Sequence, residues 1–175
     1  MSKEYKHYSN YPKSKWRWPN FTPIEMRSKS DNKLMIDEEA MDKLQTLRTL
    51  IGKPIKITSA YRSPAHNKKV GGAKASQHLK ALAFDCQMDG HDPATFEAAA
   101  RRVGFYGFGF YKDSNFMHID IGPAREWGDR WFAEVTTPPT VAPAPKKRQV
   151  SSLSALIAAA IAAIAFIIAK FTDLF

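Results

Sequence analysis

No helix or sheet can run through TTPPTVAPAP, Thr136 to Pro145, because its prolines lock φ and remove backbone donors that both structures need. Whatever packs into a core must lie to one side of it. The N-terminal side carries the mixed apolar and polar patterning of a folded unit. In a chain of 175 residues with 44% hydrophobic content, that leaves one domain of ordinary size. The organisation expected is a polar arm over 1–19, a globular domain over 20–135, a proline-rich basic linker over 136–149, an apolar segment over 150–169 and a short tail over 170–175.

The apolar segment, Val150 to Ala169, has no charged residue and no proline. A helix of about 20 residues rises about 30 Å, the thickness of a bilayer's hydrocarbon core, so a C-terminal transmembrane helix is expected here. An interfacial helix is the alternative, because the many alanines make the segment only weakly apolar per residue. Lys146, Lys147 and Arg148 precede it and Lys170 follows, a bias that places the domain on the cytoplasmic side. The first residues, MSKEYKHYSNYPKSKWRWPN, carry no apolar run of the length a secretory signal needs, so signal-dependent export is not expected. The net charge of +9 attracts polyanions, among them nucleic acid, anionic lipid and acidic wall polymers, and does not choose between them. No nucleic-acid-binding motif is present, so nucleic acid is not an expected partner, and the chain is expected to be a monomer. Cys86 is the single cysteine, which excludes an internal disulfide.

Within the domain, Asp37 to Gly52 places Met41, Leu44, Leu47, Leu50 and Ile51 at three- and four-residue steps with acids at its start. This is an amphipathic helix capped by Asp37 and ended by Gly52. Lys53 to Ser59 alternates, with Ile55 and Ile57 on one face, as a strand does. Tyr61 to Ala75, with Pro64, Gly71 and Gly72 among basic residues, reads as a loop or short helical turn. Asp92 to Val103 reads as a second helix, with Asp92 as N-cap, Pro93 at its first position and Gly104 beyond its end. In Ala81 to Gln87, Leu82, Phe84 and Cys86 share one side and Asp85 lies on the other. In Phe116 to Ile121, Met117, Ile119 and Ile121 form one face, leaving His118 and Asp120 together on the opposite one. The order helix, strand, loop, strand, helix, strand describes an α+β domain with a small antiparallel sheet and flanking helices.

Neighbouring strands bearing Asp85 and His118 could aim both side chains at one point, with His78 arriving from the preceding loop. Two imidazoles and a carboxylate suit zinc, and three protein ligands leave a fourth position for water, as a catalytic site requires. By spacing alone, His118 reads as well as a satisfied core histidine and Asp85 as a strand-end cap.

The stretch ITSAYRSPAHNKKVGGAKASQHLKALAFD and the later GFYKDSNFMHIDIG resemble the zinc D-alanyl-D-alanine carboxypeptidase and peptidoglycan endopeptidase family, whose fold is shared with the Hedgehog signalling domain. The family's signature Ser-x-His-x-x-Gly-x-Ala-x-Asp is matched by Ser76, His78, Ala83 and Asp85. Ala81 stands where glycine is usual, a change that excludes only a positive-φ backbone. His118 matches the late-strand histidine, and the likeness runs from about Asn20 to Trp127. It implies zinc held by His78, Asp85 and His118, and hydrolysis of a peptide bond in the peptidoglycan stem by carboxypeptidase or endopeptidase action. It also implies that Arg62 lies near the substrate, where a guanidinium can stabilise an oxyanion or hold a carboxylate. Tyr61 and Ser59 read as scaffold.

Well-known members of that family carry Glu or Asp three residues before the last histidine, where this chain has Asn115, which cannot accept a proton at neutral pH. Asp120 is the candidate for general base, with Asp113 second, and Asp120 reads almost as readily as the carboxylate that orients a ligand histidine. His66 is expected to line the cleft, His7 and His91 to be exposed loop residues, and Cys86 to be an inert core thiol. Asn115 also supports a rival from another class, a non-catalytic zinc-containing module that binds cell wall or protein and is tethered to the membrane. The charge bias of the tail points to a cytoplasmic domain and a wall substrate to a periplasmic or wall-facing one, so the side is left open; one enzymatic reading is a phage-type lysis enzyme, made inside the cell and reaching the wall when the membrane fails.

Overall fold

A computed structural model describes residues 3–131 of the chain. The expected linker, transmembrane helix and tail, 136–175, lie outside the described residues, and no helix among those described is long and apolar enough to cross a membrane. In chain order the elements are β1 (Glu4–Tyr5), α1 (Pro23–Met26), β2 (Leu34–Met35), α2 (Glu38–Ile51), β3 (Ile57–Ser59) and α3 (Pro64–Lys69), then β4 (Ala83–Gln87), α4 (Pro93–Arg102), β5 (Gly107–Tyr111), β6 (Phe116–Asp120) and β7 (Arg125–Asp129).

The helix ends follow from their capping residues. The Asp37 side chain accepts from Ala40 N at the start of α2, and Gly52 closes it with φ 71°, a left-handed conformation open to glycine at little cost. Asp92 caps α4 in the same way by accepting from Thr95 N. Of the strand expected over Lys53 to Ser59, Ile57–Ser59 forms as strand and Lys56 O also accepts from Gln87 N of the neighbouring strand; Ile55 is buried all the same.

β1 and β2 form a small antiparallel ribbon, and the other strands form a five-stranded sheet in the order β3-β4-β6-β5-β7. The mixed α+β architecture is the expected one, but the sheet is not antiparallel throughout, since β7 pairs with β5 in parallel. The chain turns back after β6 and reaches the far edge of β5, so β7 opposes β6 in direction and matches β5. One face of the sheet carries Phe84, Cys86, Phe108, Phe110, Met117 and Ile119. These join Ala40, Met41, Leu44 and Leu47 of α2 and Phe96 and Ala100 of α4 in one buried cluster, whose loss of water-exposed apolar area is the main stabilising term.

Residues 3–19, set apart as an arm by their sequence, pack into that same core. Tyr11 and Trp18 are buried members of the cluster, and Trp18 Nε1 donates to Asp42 Oδ1 of α2 at 2.7 Å. Arg17 adds bonds to Asp42 and Glu38 on the same helix. The folded unit therefore begins well before residue 20.

Candidate metal centre

Strand pairing sends alternate residues to opposite faces, so the face opposite the core is assembled by register. One row across the sheet reads Ser59, Asp85, His118, Gly109, Trp127, and the next reads Ala83, Asp120, Gly107, Arg125. A register shift between Ile57 and Ser59 lets β3 keep Ile57 on the core side while placing Ser59 beside Asp85.

His78 reaches this face from a single 3-10 turn, Gln77–Lys80, capped by Ser76, whose side chain accepts from His78 N. The turn is closed by Ala81 N donating to His78 O and Leu82 N donating to Gln77 O, a pairing that requires a left-handed residue at Ala81. Ala81 adopts it, with φ 59° and ψ 26°. The expectation that alanine excludes a positive φ here is thus overturned. The two closing bonds hold a conformation that costs an alanine about 1–2 kcal/mol, and they explain why glycine would be the usual residue.

The site itself is three atoms facing one another. His118 Nδ1 lies 2.9 Å from Asp85 Oδ1, His78 Nε2 lies 3.2 Å from the same oxygen, and the two nitrogens are 3.1 Å apart. All three residues are buried, with exposures of 2%, 5% and 6% for His78, Asp85 and His118. The outer atoms of each ligand decide what the inner ones carry. His78 Nδ1 is 2.6 Å from the Ala60 carbonyl, which only accepts, so Nδ1 bears the proton and Nε2 bears a lone pair. His118 Nε2 is 2.8 Å from Asp120 Oδ2 and donates to it, leaving a lone pair on Nδ1. Asp85 Oδ2 accepts from Arg62 Nη2 at 2.5 Å, so Oδ1 is the free oxygen. Three acceptors converging in a buried space need a cation among them, either a proton on His118 Nδ1 that donates to Asp85 Oδ1 or a divalent metal ion in its place.

The electrostatics agree. Burial pushes the Asp85 carboxyl up, yet the facing His78 and His118 rings outweigh burial and hold it well below the usual carboxylate range. Burial lowers His118, but its bonds to Asp120 and Asp85 prevail and raise it, so its surroundings favour positive charge. His78 is lowered, chiefly by burial, and is favoured as the neutral ring that a metal requires.

The other residues singled out from the sequence fall as follows. Asp120 is wholly buried, and its two oxygens take four donors: Gly122 N and Arg125 Nη1 on Oδ1, His118 Nε2 and Arg125 Nη2 on Oδ2. A carboxylate offers about four lone-pair positions, so none is left over. Arg62 Nε donates to Ser59 Oγ at 2.8 Å and Nη2 holds Asp85, while Nη1 takes no partner among the described residues. Asn115 sits in the β5–β6 turn with φ 50°, a conformation asparagine tolerates, and donates to Asp89 Oδ1; Asp113 is exposed in the same turn. His66 is half-buried on α3, and its Nδ1 has no partner among the described residues. His7 caps a short turn, His91 donates to Pro54 O, and neither joins the cluster. Cys86 is buried on the core face, where burial pushes its thiol up.

Arg125, Trp127 and the two site-facing glycines of β5 are not singled out by sequence pattern. A Cβ on Gly107 would collide with the Asp120 carboxylate, and one on Gly109 would lie 2.6 Å from the Trp127 ring. The alternation of glycine and phenylalanine in GFGF, residues 107–110, was the available signal.

Two imidazoles and a carboxylate on the polar face of a small α+β sheet, each with its own outer partner, form a group that could hold one metal ion. Comparison with known proteins agrees: residues 19–120 match the sequence profile of the peptidase M15 family, and the chain belongs to that family. It is 39% identical over 99 residues to the peptidoglycan L,D-endopeptidase MepK of Escherichia coli (strain K12), covering 53% of this chain and 54% of that protein. It is 32% identical over 111 residues to the probable peptidoglycan L,D-endopeptidase MepK of Haemophilus influenzae, covering 58% of this chain and 60% of that one. The chain thus spans little more than half the length of these curated relatives.

Proposed function

We propose that this chain is a zinc-dependent endopeptidase that hydrolyses a peptide bond in the stem peptides of peptidoglycan. The observation that carries the reading is the meeting of three lone pairs from His78, Asp85 and His118, on a scaffold whose curated relatives are named for that activity. The donor set suits zinc. Bonds of about 2.0–2.1 Å in a tetrahedral site space the ligand atoms about 3.3–3.4 Å apart, only a few tenths of an ångström wider than the separations found.

Zinc bound there supplies a Lewis acid and a water ionised near neutral pH. The chain's own residues position the ligands and the substrate. Ala60 O and Asp120 set the tautomers of His78 and His118, and Arg62 fixes the carboxylate of Asp85. Arg62 Nη1 is the donor available to a substrate carbonyl or carboxylate, the role expected from the sequence. Asp120, the first candidate for moving the proton, serves instead to orient His118, because all of its acceptor positions are taken. With 150–169 as a membrane helix, the domain is tethered, and protease accessibility of the domain in intact and permeabilised cells tests on which side.

The test of function is incubation of the full chain, zinc-loaded, with purified peptidoglycan and mass spectrometry of the released fragments. Cleavage within the stem peptide, lost in His118→Ala, is expected. A second reading, a zinc-containing module that binds wall polymer without cutting it, draws on Asn115 in the usual acidic position. Sedimentation of the chain with peptidoglycan and no fragment release would select it.

A further inference from the structure

We infer that Arg125 is a positioning residue for the metal centre, acting through Asp120 to fix the ring of His118. The inference rests on the metal-centre reading and adds a group from a strand that contributes no ligand.

Arg125 lies on β7, in register with Gly107 of β5 and, through it, with Asp120 of β6. Its guanidinium meets the Asp120 carboxylate fork to fork, Nη1 to Oδ1 at 3.0 Å and Nη2 to Oδ2 at 2.7 Å. Such a pair fixes the carboxylate plane as well as its position, which a single point charge cannot do. The plane matters because Asp120 Oδ2 also receives His118 Nε2, so rotation of the carboxylate would carry the acceptor away from the ring. Gly107 makes the bridge possible, since any side chain there would occupy the carboxylate's place.

β7 grips His118 a second time. The Arg125 guanidinium lies 5.0 Å from the centre of the Trp127 ring, and the Trp127 ring lies 5.0 Å from that of His118. Trp127 is itself held by its Nε1 donating to Tyr111 Oη at 2.9 Å and by the space that Gly109 leaves open. One side chain therefore braces both the edge of the His118 ring, through Asp120, and its aromatic neighbour. The plainer role for Arg125, a staple that holds an edge strand to the sheet, predicts a loss of stability and no specific effect on His118.

The two are separated by Arg125→Met and Arg125→Lys in the full chain. Zinc affinity is read by competition with a chromogenic chelator. The cobalt(II)-loaded protein is read by proton NMR, where the ring N–H protons of both metal-bound histidines are displaced from the main spectrum. The N–H of His78, held by Ala60 O, serves as the internal control. In Arg125→Met, zinc affinity should fall about 10-fold, at the lower end of what loss of an outer partner costs. The His118 N–H signal should exchange with water and broaden while that of His78 stays sharp. Arg125→Lys, which keeps the charge but not the fork, should fall between. Zinc affinity within about twofold of the unaltered chain, with both N–H signals in place, would overturn the inference. So would an Arg125→Met chain that does not fold beside an Arg125→Lys chain indistinguishable from the original, because that is the staple. Failure of the unaltered chain to take up either ion would instead bring down the metal-centre reading, and this inference with it.

Discussion

The two faces of the five-stranded sheet are built from the same strands, and His78, Asp85, His118 and Asp120 at the polar one are buried nearly as deeply as the core residues behind them, yet the two sets are held by opposite kinds of interaction. On the core face, Phe84, Met117 and Ile119 gain from leaving water and ask nothing of their neighbours but shape. On the other, His78, Asp85, His118 and Asp120 lose hydration and recover it through one another, two arginines, a backbone carbonyl and a backbone amide, and through a cation under the proposed metal reading. The core face should therefore fail gradually and globally when trimmed, and the polar face abruptly and locally.

That contrast can be broken or sharpened by substitution. The largest effect expected is that of His118→Ala, which should abolish both zinc retention and stem-peptide cleavage, measured by metal analysis after dialysis and by fragment release. Ile119→Ala, one residue away on the core face, should cost about 2–5 kcal/mol in denaturant unfolding while the folded fraction keeps its zinc. Asp120→Asn should leave the fold in place but weaken zinc binding by about 10- to 100-fold, because an amide cannot satisfy both His118 and the Arg125 fork. Gly109→Ala should cost about 1–3 kcal/mol by pushing Trp127 off its seat. Smallest of all is Ala81→Gly. Relief of the left-handed strain, loss of a buried methyl and the added freedom of the unfolded chain are each about 1 kcal/mol and oppose one another, so the unfolding free energy should move by less than about 1 kcal/mol.

The same contrast explains what the sequence disclosed. Periodicity reports the faces of elements that alternate clearly, so α2, α4, β4 and β6 were legible, and with them the shared side of His118 and Asp120 and the separation of Asp85 from Cys86. Spacing alone left His78, Asp85 and His118 open as a set; the resemblance of SQHLKALAFD and the late-strand histidine to a known family singled them out, and the pairing of β4 with β6 brings Asp85 beside His118. β5 was hidden because glycine at 107 and 109 lowers strand propensity where the site demands empty space. β7 was hidden because REWGD has no apolar side facing a core. Arg125 and Trp127 were lost with it, and so was the parallel pairing. The arm, residues 3–19, follows no period; its aromatic residues Tyr11 and Trp18 pack one by one, and only the fold shows that they belong to the core. The saturation of Asp120 depends on Gly122 and Arg125 together, which no spacing rule connects.

The central claim is that a single ion is held by two imidazoles and one carboxylate on the polar face of the sheet. X-ray absorption at the zinc edge on the loaded full chain tests it most directly. The account predicts a first shell of nitrogen and oxygen alone at about 2.0–2.1 Å, with the outer scattering of two imidazole rings, and loss of that bound-zinc spectrum in His118→Ala. A sulfur contribution at about 2.3 Å, or a spectrum unchanged by that substitution, would contradict it.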